Sequence, residues 1–148
     1  TTRLHSLKLI KDESLDFVFI GRFDVHYFSK ITEHSLDYSK FNFVCREGND
    51  WWETRQYTCD TFYGFPMNMY DKVCESFLQL YDSQPDPSVG THGLYPYITN
   101  NLGESGINFL YDDLQLSGHR FNSICRRNYV DNYRSKFEIV KEVLDRFT

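Results

Sequence analysis

The sequence predicts an α/β domain, because short apolar segments of strand length alternate with segments whose apolar residues recur at helical spacing. Three mainly apolar segments are the predicted strands: the continuous run at residues 17–20, and residues 41–45 and 107–111, each of which contains one asparagine. Three periodic segments are the predicted helices: residues 68–81, 92–102 and 131–147. With 148 residues, the chain is expected to form a single domain over residues 1–148, which is long enough to bury a core.

The first strand, Phe-Val-Phe-Ile at residues 17–20, is an uninterrupted apolar run. Such a run is typical of a central strand that is buried on both faces, as in parallel sheets. The residues expected to be largely buried come from this strand and the other periodic segments: Phe17, Phe19, Ile20, Phe43, Val73, Phe77, Phe109, Val140 and Leu144.

The helix over residues 68–81 has Asn68 as its predicted cap, with apolar residues following on one face. The helix over residues 92–102 requires Pro96 to lie in its first turn. The remaining segments are a short helix or turn at 29–35, an irregular polar stretch at 46–58, an extended segment at 61–66 and a surface loop at 83–88.

Composition excludes several classes of protein. The net charge of −5 argues against general binding to nucleic-acid phosphates, which favours basic surfaces. No apolar run approaches the roughly 18 residues of a membrane helix. Aromatic residues make up 18 % of the chain, which argues against disorder. An aromatic-rich core accounts for most of them, and the many tyrosines also suggest surfaces that stack on flat ligands or sugars.

The four cysteines are widely spaced and form no C-x-x-C pair, which argues against zinc-ribbon and thioredoxin-like proteins. They are interpreted as small buried residues in a reducing compartment, so a cytoplasmic location is expected. The glycine-rich signatures of P-loop and dinucleotide-binding proteins, the G-x-S-x-G elbow and the H-E-x-x-H zinc motif do not occur.

The first candidate site follows the strand at residues 17–20, where Gly21 breaks the run and Arg22 and Asp24 come next. Ligands of open α/β sheets bind beyond the carboxyl ends of the strands. A carboxylate there can hold a hard divalent cation, and the guanidinium can bind phosphate. The alternative is a structural ion pair between Arg22 and Asp24.

The second candidate site is the polar stretch that holds Trp51, Trp52 and Glu53 and leads to Asp60. Neighbouring tryptophans in a polar loop often stack on sugar rings or other flat faces. Glu53 and Asp60 are carboxylates that can act as a general base near a substrate hydroxyl. The alternative is that one tryptophan fills the core beneath the loop while the carboxylates are solvated.

The third candidate is His119, which follows the last predicted strand and can ligate a metal or contact a phosphate. A lone loop histidine often does neither. His92 is a weaker candidate because it lies at a predicted helix start. The pair Arg126–Arg127 is a short basic spot that can receive a diphosphate or can be a solvated face.

Residues 16–24, Asp-Phe-Val-Phe-Ile-Gly-Arg-Phe-Asp, resemble the metal-binding strand end of small GT-A-type glycosyltransferases, with R-x-D where most members carry D-x-D. Downstream, the Trp-Trp pair and Asp-Thr-Phe-Tyr-Gly-Phe-Pro at residues 60–66 resemble the acceptor-side segment of those enzymes. His-Gly-Leu-Tyr-Pro-Tyr-Ile and Ile-Asn-Phe-Leu then follow in the same order. The resemblance runs from about residue 6 to 111 and includes members in large algal DNA viruses and bacterial polysaccharide clusters.

The resemblance implies a GT-A-like mixed sheet flanked by helices, without the N-terminal β-α-β unit that grips the nucleotide. Residues 1–148 would then be the metal-motif and acceptor part of such a domain. It also implies a UDP- or GDP-sugar donor, a glycan or glycoprotein acceptor, and Mn²⁺ or Mg²⁺ as cofactor.

In that interpretation each site residue has a role. Asp24 would bind the metal, and Arg22 and Asp24 would contact the donor. Asp60 would be the catalytic base or a ligand of the acceptor hydroxyl. The residue types alone add His119 as a second candidate metal ligand and Glu53 as a second candidate catalytic carboxylate. The acceptor or sugar pocket would be shaped by Trp51, Trp52 and Arg55.

A second hypothesis comes from a different class: a non-catalytic carbohydrate- or protein-binding module that uses Trp51 and Trp52 as its platform. An enzyme is expected to depend on Asp24, whereas a binding module is expected to depend on the tryptophans. Base stacking on nucleic acid is a third possibility, and the acidic net charge disfavours it.

Overall fold

The computed structural model describes residues 7, 10, 14–22, 25–48, 50–83, 90–115 and 122–124. The strands are β1 (Phe17–Gly21), β2 (Val25–Tyr27), β3 (Phe41–Phe43), β4 (Arg46–Glu47), β5 (Phe62–Pro66), β6 (Ile107–Phe109), β7 (Leu114–Gln115) and β8 (Asn122–Ile124). The α-helices are α1 (Trp51–Arg55), α2 (Tyr70–Ser83) and α3 (Tyr95–Leu102). Single 3₁₀ turns cover Ile31–Glu33, Met67–Met69, His92–Leu94 and Glu104–Gly106.

The main sheet has four strands in the order β1-β5-β3-β6. It is mixed, because β5 runs antiparallel to both β1 and β3, while β3 runs parallel to β6. Two smaller pairs accompany it, an antiparallel pair of β2 with β8 and a parallel pair of β4 with β7. The mixed α/β class predicted from the sequence is therefore confirmed.

The prediction that β1 is a central strand buried on both faces was wrong. In the described part of the chain β1 pairs with β5 alone and forms an edge of the sheet. Val18 on its inner face is 3 % exposed, but Phe19 on the other face is 47 % exposed. The ring of Phe19 packs on Phe17 and Phe62 instead, with ring centroids 4.9 and 5.8 Å apart. An apolar run can thus carry an aromatic cluster on its outer face.

The main core lies between the sheet and the helices α2 and α3. Phe43, Val73 and Phe77 are fully buried there, as predicted. Phe17, Ile20 and Phe109 are only half-buried, and Val140 and Leu144 fall in the predicted helix 131–147, which lies outside the described residues. The core residues are mostly aromatic and branched: Phe41, Phe43, Tyr63, Phe65, Val73, Phe77, Leu80, Leu94 and Ile98.

A second, smaller cluster lies on the opposite face of the sheet and contains Val44, Cys45, Cys59, Phe62 and Leu110. Tyr63 and Phe62 belong to different clusters because neighbouring residues of a strand point to opposite faces. The sheet is therefore covered by side chains on both faces at the start of β5, next to the candidate site.

Helix α2 extends to Ser83, beyond the predicted end at residue 81. Asn68 does not cap it, because Met67–Met69 form a 3₁₀ turn that leads directly into the helix. Helix α3 begins with Pro96 in its first turn, as predicted, because the proline lacks the amide hydrogen that would have no partner there. The stretch 46–58 is more ordered than predicted, since it contains β4 and α1.

Candidate functional site

The candidate site forms around a bulge in the strand that leads into β5. Phe43 pairs with Tyr63, and Arg46 pairs with Thr58 in an isolated antiparallel bridge. Between these two pairs the first strand runs three residues, from Phe43 to Arg46, and the second runs five, from Thr58 to Tyr63. The second strand therefore contains two additional residues, and Asp60 lies within this bulge. Bulges of this kind often aim side chains at functional sites.

Asp60 forms an ion pair with Arg22, which follows β1. The Nη1 group of Arg22 donates to both carboxylate oxygens of Asp60, at 3.0 and 3.2 Å. The Arg22 and Asp60 side chains are 27 % and 10 % exposed, so the carboxylate is the more buried partner. The amide of Arg22 also donates to the Thr61 carbonyl at 3.2 Å, which continues the pairing of the two strands. Arg22 is thus held by main chain and side chain together.

His92 lies on the other side of Asp60, at the start of the 3₁₀ turn that precedes α3. Its Nδ1 is 3.0 Å from the carbonyl oxygen of Thr58, so Nδ1 carries the hydrogen of that bond. Its Nε2 lies 3.6 Å from Oδ1 of Asp60. The Thr58 amide donates to the His92 carbonyl at 2.9 Å, which fixes the backbone on both sides. The ring is therefore oriented with Nε2 towards the carboxylate.

Glu47 is the second carboxylate near this imidazole and is fully buried. Its Oε1 lies 3.8 Å from Nδ1 of His92, and its amide donates to the Tyr57 carbonyl at 2.9 Å. We refer to Arg22, Glu47, Asp60 and His92 as the polar cluster. A proton on Nε2 of His92 would face the Asp60 carboxylate, so this pair can accept a proton from a hydroxyl that reaches it.

A row of aromatic side chains leads from the surface to the polar cluster. Trp51 is 45 % exposed, and its ring centroid lies 6.5 Å from that of Tyr57. The Tyr57 ring lies 6.3 Å from the His92 ring. The guanidinium of Arg55 stands 5.7 Å from the Tyr57 ring centroid. We refer to Trp51, Tyr57 and His92, with Arg55 beside them, as the aromatic row.

Trp52 does not join this row, although it is adjacent to Trp51 in sequence. It is half-buried and packs on the rings of Tyr95 and Phe109, with centroids 4.8 and 5.9 Å apart. The Arg46 guanidinium lies 5.2 Å from its ring centroid. The two tryptophans point apart because successive residues of a helix are rotated by about 100°. Trp52 thus attaches α1 to the main core.

The other predicted site residues are not brought to the cluster. Glu53 is exposed on α1. Asp24 and His119 lie outside the described residues, so their predicted metal-binding role stays a prediction. Within the described ranges, no group of three or more His, Cys, Asp or Glu side chains is arranged to hold a metal ion.

An apolar cavity of about 420 Å³ opens beside the polar cluster, lined by Phe19, Gly21, Tyr27, Ser29, Ile31 and Phe62. Its two hydroxyls are engaged within the protein. Tyr27 donates to the Thr61 carbonyl at 2.8 Å, and the Ser29 hydroxyl lies 2.7 Å from Nε2 of His34. The cavity therefore offers mainly aromatic and aliphatic surface to a ligand.

Sequence reasoning did not find Glu47 and ranked His92 below His119. Glu47 lies in a stretch interpreted as irregular, and it carries no local signal of burial. Its position depends on the bridge between Arg46 and Thr58, residues 12 positions apart. His92 is brought to Asp60 by its main-chain bonds with Thr58, which the sequence does not reveal.

Comparisons with protein-family models, with curated protein sequences and with solved structures find no match to this chain. No helix among the described residues combines the length and apolar character needed to cross a membrane. The fold class and the geometry of the polar cluster are therefore the basis for assigning a function.

Proposed function

We propose that this chain belongs to a nucleotide-sugar-dependent glycosyltransferase whose reaction centre is the polar cluster. One observation carries the proposal: Arg22 and Asp60, chosen from two separate sequence motifs, lie in direct contact at the end of β1. They are 38 residues apart in the chain. In the resemblance to GT-A enzymes these two positions contact the donor and activate the acceptor, and the two roles require them to be close together.

The reaction assigns a task to each residue. The oxygen of an acceptor hydroxyl forms a bond to the anomeric carbon of the sugar, and the bond from that carbon to the phosphate oxygen breaks. The nucleoside diphosphate leaves with the electron pair. The hydroxyl proton passes to the Asp60–His92 pair, and the Arg22 guanidinium offers positive charge to the phosphate oxygens.

The aromatic row supports a carbohydrate acceptor. Sugar rings stack their C–H faces on exposed aromatic rings while their hydroxyls remain hydrated. Trp51 and Tyr57 lie at successive positions that approach His92 and Asp60. An acceptor glycan bound along this row would bring its terminal hydroxyl to the base.

The donor and the metal are further parts of the proposal. A UDP- or GDP-sugar and Mn²⁺ or Mg²⁺ are inferred from the resemblance, with Asp24 as the metal ligand. The metal, when bound, would supply positive charge next to the diphosphate. The described residues add Arg22 as a fixed positive charge at the same strand end.

Calorimetric titration with UDP and with GDP, each with and without Mn²⁺, tests the proposal. The variants are Asp24→Asn and Arg22→Met, and Lys72→Met, an exposed residue of α2, is the matched control for loss of a positive charge. We expect binding that requires Mn²⁺, that is lost in Asp24→Asn, weakened in Arg22→Met and unchanged in Lys72→Met. The titrations are repeated on a version extended upstream to include a nucleotide-gripping β-α-β unit. Absence of nucleotide binding to both folded versions, or binding that is indifferent to both site variants, would overturn the donor assignment.

A non-catalytic carbohydrate-binding module is the second candidate, and the exposure of Trp51 favours it. Such a module requires the aromatic row but not Asp24 or Arg22. Glycan-array binding that is lost in Trp51→Ala and retained in Asp24→Asn, together with no nucleotide binding, would support the module over the enzyme. Trp52→Ala is not a suitable variant for this purpose, because Trp52 contributes to the core.

A further inference from the structure

Two cysteines face each other across the strand pair that supports the candidate site. The bridge between Arg46 and Thr58 places Cys45 directly opposite Cys59, one residue further along each strand. The Cys59 amide donates to the Cys45 carbonyl at 3.1 Å, which confirms this register. Both cysteines are fully buried in the same apolar cluster.

This register brings the two thiols within reach of a covalent bond. Directly opposite residues of an antiparallel pair have their side chains on the same face, and hydrogen-bonded pairs have Cα atoms about 5.5 Å apart. That separation is the usual one for disulfides. A hydrogen bond with the Cys45 side chain is the main factor that lowers the pKa of Cys59.

We propose that Cys45 and Cys59 form a reversible disulfide when the chain meets a peroxide oxidant. The Cys59 thiolate attacks one oxygen of hydrogen peroxide, the O–O bond breaks, and a sulfenic acid forms on Cys59 while hydroxide leaves. The Cys45 sulfur then attacks the Cys59 sulfur, water leaves, and the S–S bond forms. Two thiols and one peroxide thus become one disulfide and two waters.

The surroundings of Cys59 favour it as the attacking thiol. Besides the bond with Cys45, its sulfur lies 3.0 Å from the Thr61 hydroxyl, and both contacts lower its pKa. Burial and the nearby Glu47 carboxylate oppose this shift, but the net direction is downward. Peroxide is small enough to reach the pair through local opening of the bulge, a motion that requires no global unfolding.

The disulfide would connect this redox chemistry to the candidate site. Cys59 immediately precedes Asp60, and the segment between the two cysteines contains Glu47, α1 and Trp51. Oxidation would therefore fix both ends of the segment that carries Trp51, Arg55 and Tyr57 of the aromatic row. Reduction would break the covalent link and leave the two strands joined by their hydrogen bonds, as they are in this structure.

Peptide mapping after peroxide treatment tests the inference. Trypsin places each of the four cysteines on a separate peptide, residues 41–46, 56–72, 73–120 and 121–126. The native chain is treated with hydrogen peroxide, blocked with N-ethylmaleimide and digested without reductant. The same treatment of the chain unfolded in urea is the control for the contribution of native geometry.

We expect peptides 41–46 and 56–72 to be recovered linked from the native chain, with titratable thiols falling from four to two. Dithiothreitol restores the four thiols. Cys74→Ser leaves the linked pair intact, whereas Cys45→Ser and Cys59→Ser each abolish it. Recovery of the two peptides unlinked, linked to other cysteines, or linked in no higher yield than from the unfolded chain would overturn the proposal.

Discussion

Replacing Arg22 by Met removes the cation of the ion pair and leaves the more buried Asp60 carboxylate behind. Removing one partner of a fully buried pair costs about 3–5 kcal/mol, and fully exposed pairs are worth about 0–1 kcal/mol. The Arg22 and Asp60 side chains, 27 % and 10 % exposed, lie between these limits. We therefore expect Arg22→Met to lower the free energy of unfolding by about 2–3 kcal/mol.

Substitution of the other partner, Asp60→Asn, is expected to lower the free energy of unfolding by less, about 1 kcal/mol. The guanidinium that remains is closer to solvent than the carboxylate, and an asparagine oxygen can still accept its hydrogen bond. Arg22→Met is therefore expected to be the more destabilising of the two variants, because it leaves the more buried partner of the ion pair without its counter-charge.

Urea denaturation followed by circular dichroism measures both values, and thermal melting provides a second measure. At about 3–4 °C per kcal/mol for a chain of this length, Arg22→Met is expected to melt roughly 6–12 °C lower. Arg55→Met is the matched control, because Arg55 is exposed beside Tyr57, and its effect should stay within about 0.5 kcal/mol.

Two results would refute this reasoning. If Asp60→Asn destabilises the chain as much as Arg22→Met, the difference in burial does not govern the cost. If the double variant costs the sum of the two single variants, the groups are not coupled, and the ion pair does not contribute to stability.

Three further predictions concern the fold. Phe43→Ala, which removes a fully buried ring, should lower the free energy of unfolding measured in urea by about 3–5 kcal/mol. Phe19→Ala should lower it by about 1 kcal/mol or less, because Phe19 is 47 % exposed. Equal costs would contradict the edge position of β1. Asn42→Ala should cost at least about 2 kcal/mol by the same measurement, because the two hydrogens of its buried amide nitrogen are shared among the carbonyl oxygens of Asp37, Lys40 and Gly64. A cost below about 0.5 kcal/mol would contradict that bonding. Burial raises the pKa of Tyr70 to about 12, so the stability that this side chain provides is complete below pH 10 and is lost as the pH rises towards 12. Between these pH values the melting temperature should therefore fall less in Tyr70→Phe than in the wild type. Parallel falls in the two proteins would count against this assignment.

Local patterns in the sequence predicted most elements of the fold. Short, mainly apolar segments located β1, β3 and β6, and helical periodicity located α2 and α3. These signals are reliable because they follow from the repeat of each structure, which depends on neighbouring residues alone. The short helix α1 was missed, since five residues at Trp51–Arg55 are too few to show a period.

For the candidate site, the sequence determined which residue types were present, including Arg22, Asp60 and Trp51, and the chemistry that each type can perform. Only the tertiary structure decided that Arg22 pairs with Asp60, that Glu47 and His92 join them, and that Trp52 turns to the core. It also decided that β1 lies at an edge and leaves Phe19 exposed. The physical reason is the same in each case: periodicity reflects contacts a few residues apart, whereas strand order and the bulge before β5 depend on pairing between distant segments.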